Sequence, residues 1–231
     1  MKLFLRLIVL SLFVGSTISS SAQIDDNELG AWYMYFWNTS YKETGLGLQG
    51  DVQFRNWNLG GDLEQLLLRG GFTYVPKGTK AKFTLGYANI TTGEYGEGNS
   101  TVGEHRIYQE ALIPHSVGER FKLTHRYRFE QRFVDDQDLR TRLRYNLFVN
   151  IPLNKSNLEK GAVYIALYNE LFVNAQRSTG NGEVELFDRN RLYTGLGYSL
   201  RDNLRMQLAF MEQTTNSWSK GQLQVSLHHK F

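Results

Sequence analysis

A ladder of arginines with a few interspersed glutamates and five histidines are the residues of this sequence that could do chemistry. The arginines recur at every second position. Arg126, Arg128 and Arg132 surround Glu130 in one stretch, and Arg140, Arg142 and Arg144 follow in the next. Arg106, Arg189, Arg191 and Arg205 extend the set, with Glu104, Glu110 and Glu170 as counter-charges. Residues two apart share one face of a strand, so each run is a single charged face. A guanidinium is a rigid fork of five donors, so a few carboxylates can be shared among several arginines. Two roles are open to such a face. It is either a packed polar interior held by paired charges or an anion-attracting pore or ligand site. A confined cationic patch needs counter-charge, and Glu104, Glu110 and Glu130 are placed to supply it. That favours the packed interior.

The histidines form no recognisable catalytic set. His125 sits on an apolar face with no serine nearby on its strand, and His115 follows Pro114 in an expected turn. His105 stands alone between Glu104 and Arg106. His228 and His229 are adjacent, but two ligands do not make a metal site. Neither a Gly-x-Ser-x-Gly nor a His-Glu-x-x-His pattern occurs, and there is no cysteine. No catalytic, cofactor-binding or metal-ligating residue is therefore expected.

The elements that must carry the charges follow from periodicity. Phe121, Leu123, His125, Tyr127, Phe129, Gln131 and Phe133 alternate with Lys122, Thr124, Arg126, Arg128, Glu130 and Arg132. Leu139, Thr141, Leu143, Tyr145, Leu147, Val149 and Ile151 repeat the pattern against Arg140, Arg142, Arg144 and Asn146. A strict period of two is a strand. Each run is about 13 residues, beyond the typical globular strand of about 5–6 and long enough for the 9–11 or so of a membrane-spanning strand. Further strands are expected near 29–37, 45–55, 63–75, 81–90, 104–113, 161–175, 185–199, 203–213 and 219–231, although 158–173 also admits a helix. Leu143 and Phe129 should face outward, and Arg142 and Arg128 inward.

Composition agrees. Aromatic residues make up 13% of the chain, with 22 glycines and 3 prolines, and the mean hydropathy is polar. Strands that are apolar on one face only give that balance. Met1–Lys2 and Arg6, the apolar stretch Leu7–Val14 and the small residues Ser20–Ser21–Ala22 read as a signal peptide over 1–22, cut near Ala22. Removing Lys2 and Arg6 leaves 24 basic residues against 23 acidic, so the basic isoelectric point is not a nucleic-acid signal.

The expectation is an all-β chain, residues 23–231 forming a single domain: an antiparallel, up-and-down transmembrane β-barrel of 10–12 strands in the outer membrane of a Gram-negative bacterium. Pro76, Pro114, Pro152 and Arg201–Asp202–Asn203 mark alternate, mostly short turns, and the longer, Gly-, Asn- and Thr-rich connections lie between them, as in such barrels. Eleven segments alternate, but these barrels have an even number, so either the segment 29–37 is not a wall strand or one strand is unseen. The last strand ends on Phe231, which would present the chain to the outer-membrane assembly machinery, with outer-membrane lipid as the other partner. The function expected is structural or passive transport, with Arg and Glu lining the lumen. An outer-membrane enzyme with a site assembled from loops and a soluble periplasmic β-sandwich are the alternatives.

Several stretches also resemble the DUF2490 family. They are Glu104–Arg106, Arg126–Phe133, Arg140–Tyr145, Asn169–Asn174 and Phe187–Tyr193, with Trp32 near the start. Each stretch is weak alone, and their order and spacing carry the likeness over nearly the whole mature chain. Members of that family look like outer-membrane barrels of Gram-negative bacteria, especially Bacteroidetes. The resemblance implies a fold and a location but no activity, so it assigns no catalytic residue.

Overall fold

Eleven strands follow one another in the order in which they pair, and the sheet closes on itself. The computed structural model describes residues 28–231 apart from positions 42 and 97, so the leader read at 1–22 lies outside the described residues. The strands are β1 (Gly30–Ser40), β2 (Leu46–Asn56), β3 (Leu63–Tyr74), β4 (Lys82–Gly93), β5 (Thr101–Val117), β6 (Phe121–Val134), β7 (Arg140–Pro152), β8 (Val163–Asn174), β9 (Phe187–Arg201), β10 (Leu204–Thr214) and β11 (Ser219–Lys230). The stretch that also admitted a helix is strand, β8. A single closed sheet overturns the β-sandwich alternative.

The barrel does not close with the even count expected. The segment 29–37 is a wall strand after all, and the number is odd. With an odd number the first and last strands run the same way, so β1 pairs with β11 in parallel, from Gly30↔Gln222 to Asn38↔Lys230. Every other neighbouring pair is antiparallel. Closure gives every strand a neighbour on both sides, so the sheet has no edge strand. The Phe231 N–H completes it by donating to the Asn38 carbonyl at 2.8 Å.

The connections sort onto two rims. One carries 41–45, 75–81, 118–120, 153–162, 202–203 and the C-terminus; the other carries 57–62, 94–100, 135–139, 175–186 and 215–218. We call them the turn end and the loop end. The length asymmetry is only partial, because 153–162 is longer than every loop-end connection except 175–186. Pro114 departs from expectation: it lies within β5, opposite Thr124 of β6. The pairing of β5 with β4 stops at Leu112↔Lys82, so Pro114 has a neighbour on one side only. Proline is tolerated there because no ladder bond is demanded on the open side.

The alternation places apolar side chains outside and polar ones inside. Phe72, Leu196 and Leu208 are 75%, 60% and 59% exposed, while Glu130 and Gln222 are 1% and 0% exposed. Leu143 is likewise exposed, and Arg128 and Arg142 are buried. Two inward tyrosines fill space over glycines on the neighbouring strand. A Cβ on Gly86 would lie 2.1 Å from the ring of Tyr108, and one on Gly197 would lie 2.0 Å from the ring of Tyr164. Only glycine permits so close an approach of ring to backbone.

Candidate functional site

The interior of the barrel carries a lattice of ion pairs built across β5 to β9. The register creates the problem that the lattice solves. Arg106 lies directly opposite Arg132, and Arg128 directly opposite Arg144. Like charges in directly opposed positions repel. Glu104 answers the first pair by accepting from both arginines at once. Arg106 Nε and Nη2 donate to it at 2.6 and 2.7 Å, and Arg132 Nε and Nη2 at 2.5 and 3.0 Å. Glu110, opposite Arg128, takes its Nε at 2.8 Å.

Glu130 is the hub. Arg142 donates Nε and Nη2 to its Oε2 at 3.0 and 2.7 Å, and Arg144 Nη1 reaches Oε1 at 2.7 Å. Arg128 and Arg106 stand 3.7 and 4.0 Å from the same carboxylate. Glu170 binds Arg126 and Arg144, both at 2.6 Å. Asp188 of β9 receives Arg142 at 2.7 Å and Arg189 at 3.1 Å. Charge-assisted, shared bonds of this kind are the strong class of protein hydrogen bond.

Aromatic faces carry the network onward to β1 and β2. Arg144, Arg142 and Arg191 lie over the Phe172 ring at 4.3, 5.2 and 4.8 Å from its centroid. Arg191 also lies 4.7 Å from the centroid of Trp32, which Arg55 approaches at 3.8 Å. Trp32 is on β1 and Arg191 on β9, three strands away around the barrel, so these side chains meet inside the lumen and not along one wall pair. Trp32 Nε1 donates to Glu64 at 2.8 Å. Arg55 donates to Gln53 and Gln65, Gln53 donates to Asp51, and Asp51 pairs with Arg69 at 2.9 Å.

The structure therefore brings together Glu104, Arg106, Glu110, Arg126, Arg128, Glu130, Arg132, Arg142, Arg144, Glu170 and Arg189. It leaves Arg140, Arg191 and Arg205 outside the ion pairs of the described residues. Arg140 instead donates to Gln137 near the loop end, and Arg191 to Gln213. The periodicity did not single out Asp51, Arg55, Glu64, Arg69 and Asp188, nor the inward aromatic side chains. The histidines separate. His228 and His229 are neighbours in sequence but point to opposite faces of β11, one lining the lumen and the other beside Tyr35. His115 lies within β5, stacked on His125, whose Nδ1 is 2.8 Å from the Tyr145 hydroxyl.

Comparison with known proteins adds the family. No curated protein matches the chain. Among solved structures, a KdgM porin in complex with disordered oligogalacturonate is similar in fold, with a TM-score of 0.48 and 12% identity over 85% of this chain and 90% of that one. The family model "Protein of unknown function (DUF2490)" matches residues 29–224, so a closed barrel with a charged interior is the form taken here by a member of the DUF2490 family, to which the chain belongs.

Proposed function

We propose that this protein is an integral outer-membrane barrel whose lumen is occluded by its own side chains, a membrane scaffold and not a general diffusion pore. The observation that carries the occlusion is the contact made inside the lumen between strands that are not neighbours. Arg191 bridges Phe172 and Trp32, and the ion-paired wall of β5–β9 is thereby tied to β1–β3. Passive transport through such a lumen would require that lattice to open. Location rests on the outer face. Exposed Phe72, Phe83, Leu85, Leu196, Leu208 and Phe210 belong to an apolar wall that goes far beyond the isolated patches of a water-soluble monomer. Strands of 11–17 residues are long enough to cross a bilayer. The leader over 1–22 supplies the export route. Outer-membrane lipid is then the partner of the wall. The exposed Phe231 at the end of the chain is the feature that the assembly machinery would read.

Fractionation tests this reading. The mature protein is expected in the outer-membrane fraction and should run faster on a gel when left unboiled. Recovery in the osmotic-shock supernatant, with no heat-dependent shift, would rule it out.

A further inference from the structure

One patch of the outer wall is not apolar. On β10, β11, β2 and β3 the mid-strand outward residues are Leu208 and Val225, paired with each other, and Val52 and Leu68, also paired. On β5 the central residue is Gln109, which is outward and exposed. Gln131 of β6 shares that face and stands opposite Ile107, one outward step from Gln109. A hydrocarbon surround offers an amide no hydrogen bond, so each unspent group there is costly.

The wall itself shows how that cost is avoided. Asn169 of β8 and Asn190 of β9 also face outward, and they satisfy each other. Asn169 Nδ2 donates to Asn190 Oδ1 at 2.9 Å, and Asn190 Nδ2 to Asn169 Oδ1 at 3.2 Å. The two glutamines do not close in this way. Gln109 Nε2 donates to Gln131 Oε1 at 3.3 Å, the only side-chain hydrogen bond of either among the described residues. Gln109 Oε1 is left as an acceptor and Gln131 Nε2 as a donor. One face thus presents one unspent acceptor and one unspent donor. Such a face is self-complementary, because a second copy turned through a two-fold satisfies both groups.

The surroundings suit that contact. The outward positions of β4–β7 carry no aspartate, glutamate, lysine or arginine, so no like charges are brought together. Beside Gln109 the wall has a hollow of about 780 Å³, where Ala111 contributes only a methyl between Phe83 and Tyr127. Small side chains at a contact let two backbones approach closely. We infer that the outer face of β4–β7 is the contact surface between two copies of this chain, each Gln109 carbonyl accepting from the Gln131 amide of the other. The inference rests on the outer-membrane reading, because water would otherwise satisfy the same groups. It is independent of whether the lumen is occluded.

The chain has no cysteine, so one introduced thiol reports the contact. Ile107→Cys places it beside the two-fold axis, and Leu208→Cys places it on the far wall. Copper-phenanthroline oxidation of outer membranes that contain either variant tests the interface. A disulfide-linked dimer is expected from Ile107→Cys and not from Leu208→Cys. Gln109→Leu and Gln131→Leu each remove both bonds between the copies. Each should weaken association in lipid vesicles by about tenfold, a factor of about three for each bond, measured by energy transfer between labelled copies. Both put an apolar side chain on an apolar wall, so both variants should keep the heat-dependent gel shift. Absence of the Ile107→Cys dimer in outer membranes, equal dimer from the two thiols, or unchanged association of the folded leucine variants would overturn the interface alone. Recovery of the protein in the osmotic-shock supernatant would overturn it together with the outer-membrane reading.

Discussion

Replacing Glu130 with alanine is expected to destabilise the folded barrel by about 3–5 kcal/mol, the scale of breaking a buried ion pair from one side. Each of the four arginines near Glu130 keeps another carboxylate: Arg106 keeps Glu104, Arg128 keeps Glu110, Arg142 keeps Asp188 and Arg144 keeps Glu170. The loss is therefore not four orphaned charges. It is one negative charge removed from the centre of four positive ones, together with the acceptors of Arg142 Nε, Arg142 Nη2 and Arg144 Nη1. Water cannot easily replace them, because Glu130 is 1% exposed. Urea titration of the protein folded into lipid vesicles measures the effect. An unchanged midpoint would mean that the interior is solvated and that its charges do not depend on one another.

The outer wall gives an effect of similar size by the opposite chemistry. Leu208 stands mid-way along β10, between Leu196 of β9 and Val225 of β11, and faces outward. Leu208→Arg puts a charge into hydrocarbon and should cost about 2–4 kcal/mol if the position lies near the bilayer midplane. Leu153→Arg, in the turn-end connection after β7, is the control and should cost about 0–1 kcal/mol, as expected near an interface. The same titration in vesicles decides. Equal small effects at both positions would place the wall in water.

The fold was legible because one property, alternation at a period of two, is imposed on nearly every residue by the contrast between an apolar outer wall and a polar interior. All eleven segments emerge from it, and the charged faces of β6 and β7 can be assigned to the interior residue by residue. Alternation fails where the backbone breaks step. Glu64 and Asp188 sit at register shifts, between Arg55/Asn56 and Phe172/Val173 of the partner strands. A bulge turns two consecutive side chains towards one face. Asp188 thus joins Arg189 inside, and Glu64 reaches Trp32, although neither position is marked by the pattern. In β1 the pattern is silent for another reason. Trp32, Tyr33, Met34, Tyr35, Phe36 and Trp37 are all apolar or aromatic, so nothing in their order says that Trp32 is inside. The parallel closure was hidden as well. The eleven segments already implied that the first and last strands run the same way, and only the usual even count of bacterial barrels argued against it. The sharing of Glu104 by Arg106 and Arg132 is a matter of register across strands, which no single strand encodes.

Planar-bilayer recording from the purified, folded protein tests the occluded lumen most directly. The wild type is expected to insert without steady single-channel steps if, as proposed, the contacts that run through Phe172 and Arg191 to Trp32 close the lumen. Steady, anion-selective steps in the wild type would contradict it, since they would require the arginines of the lattice to line a water-filled passage.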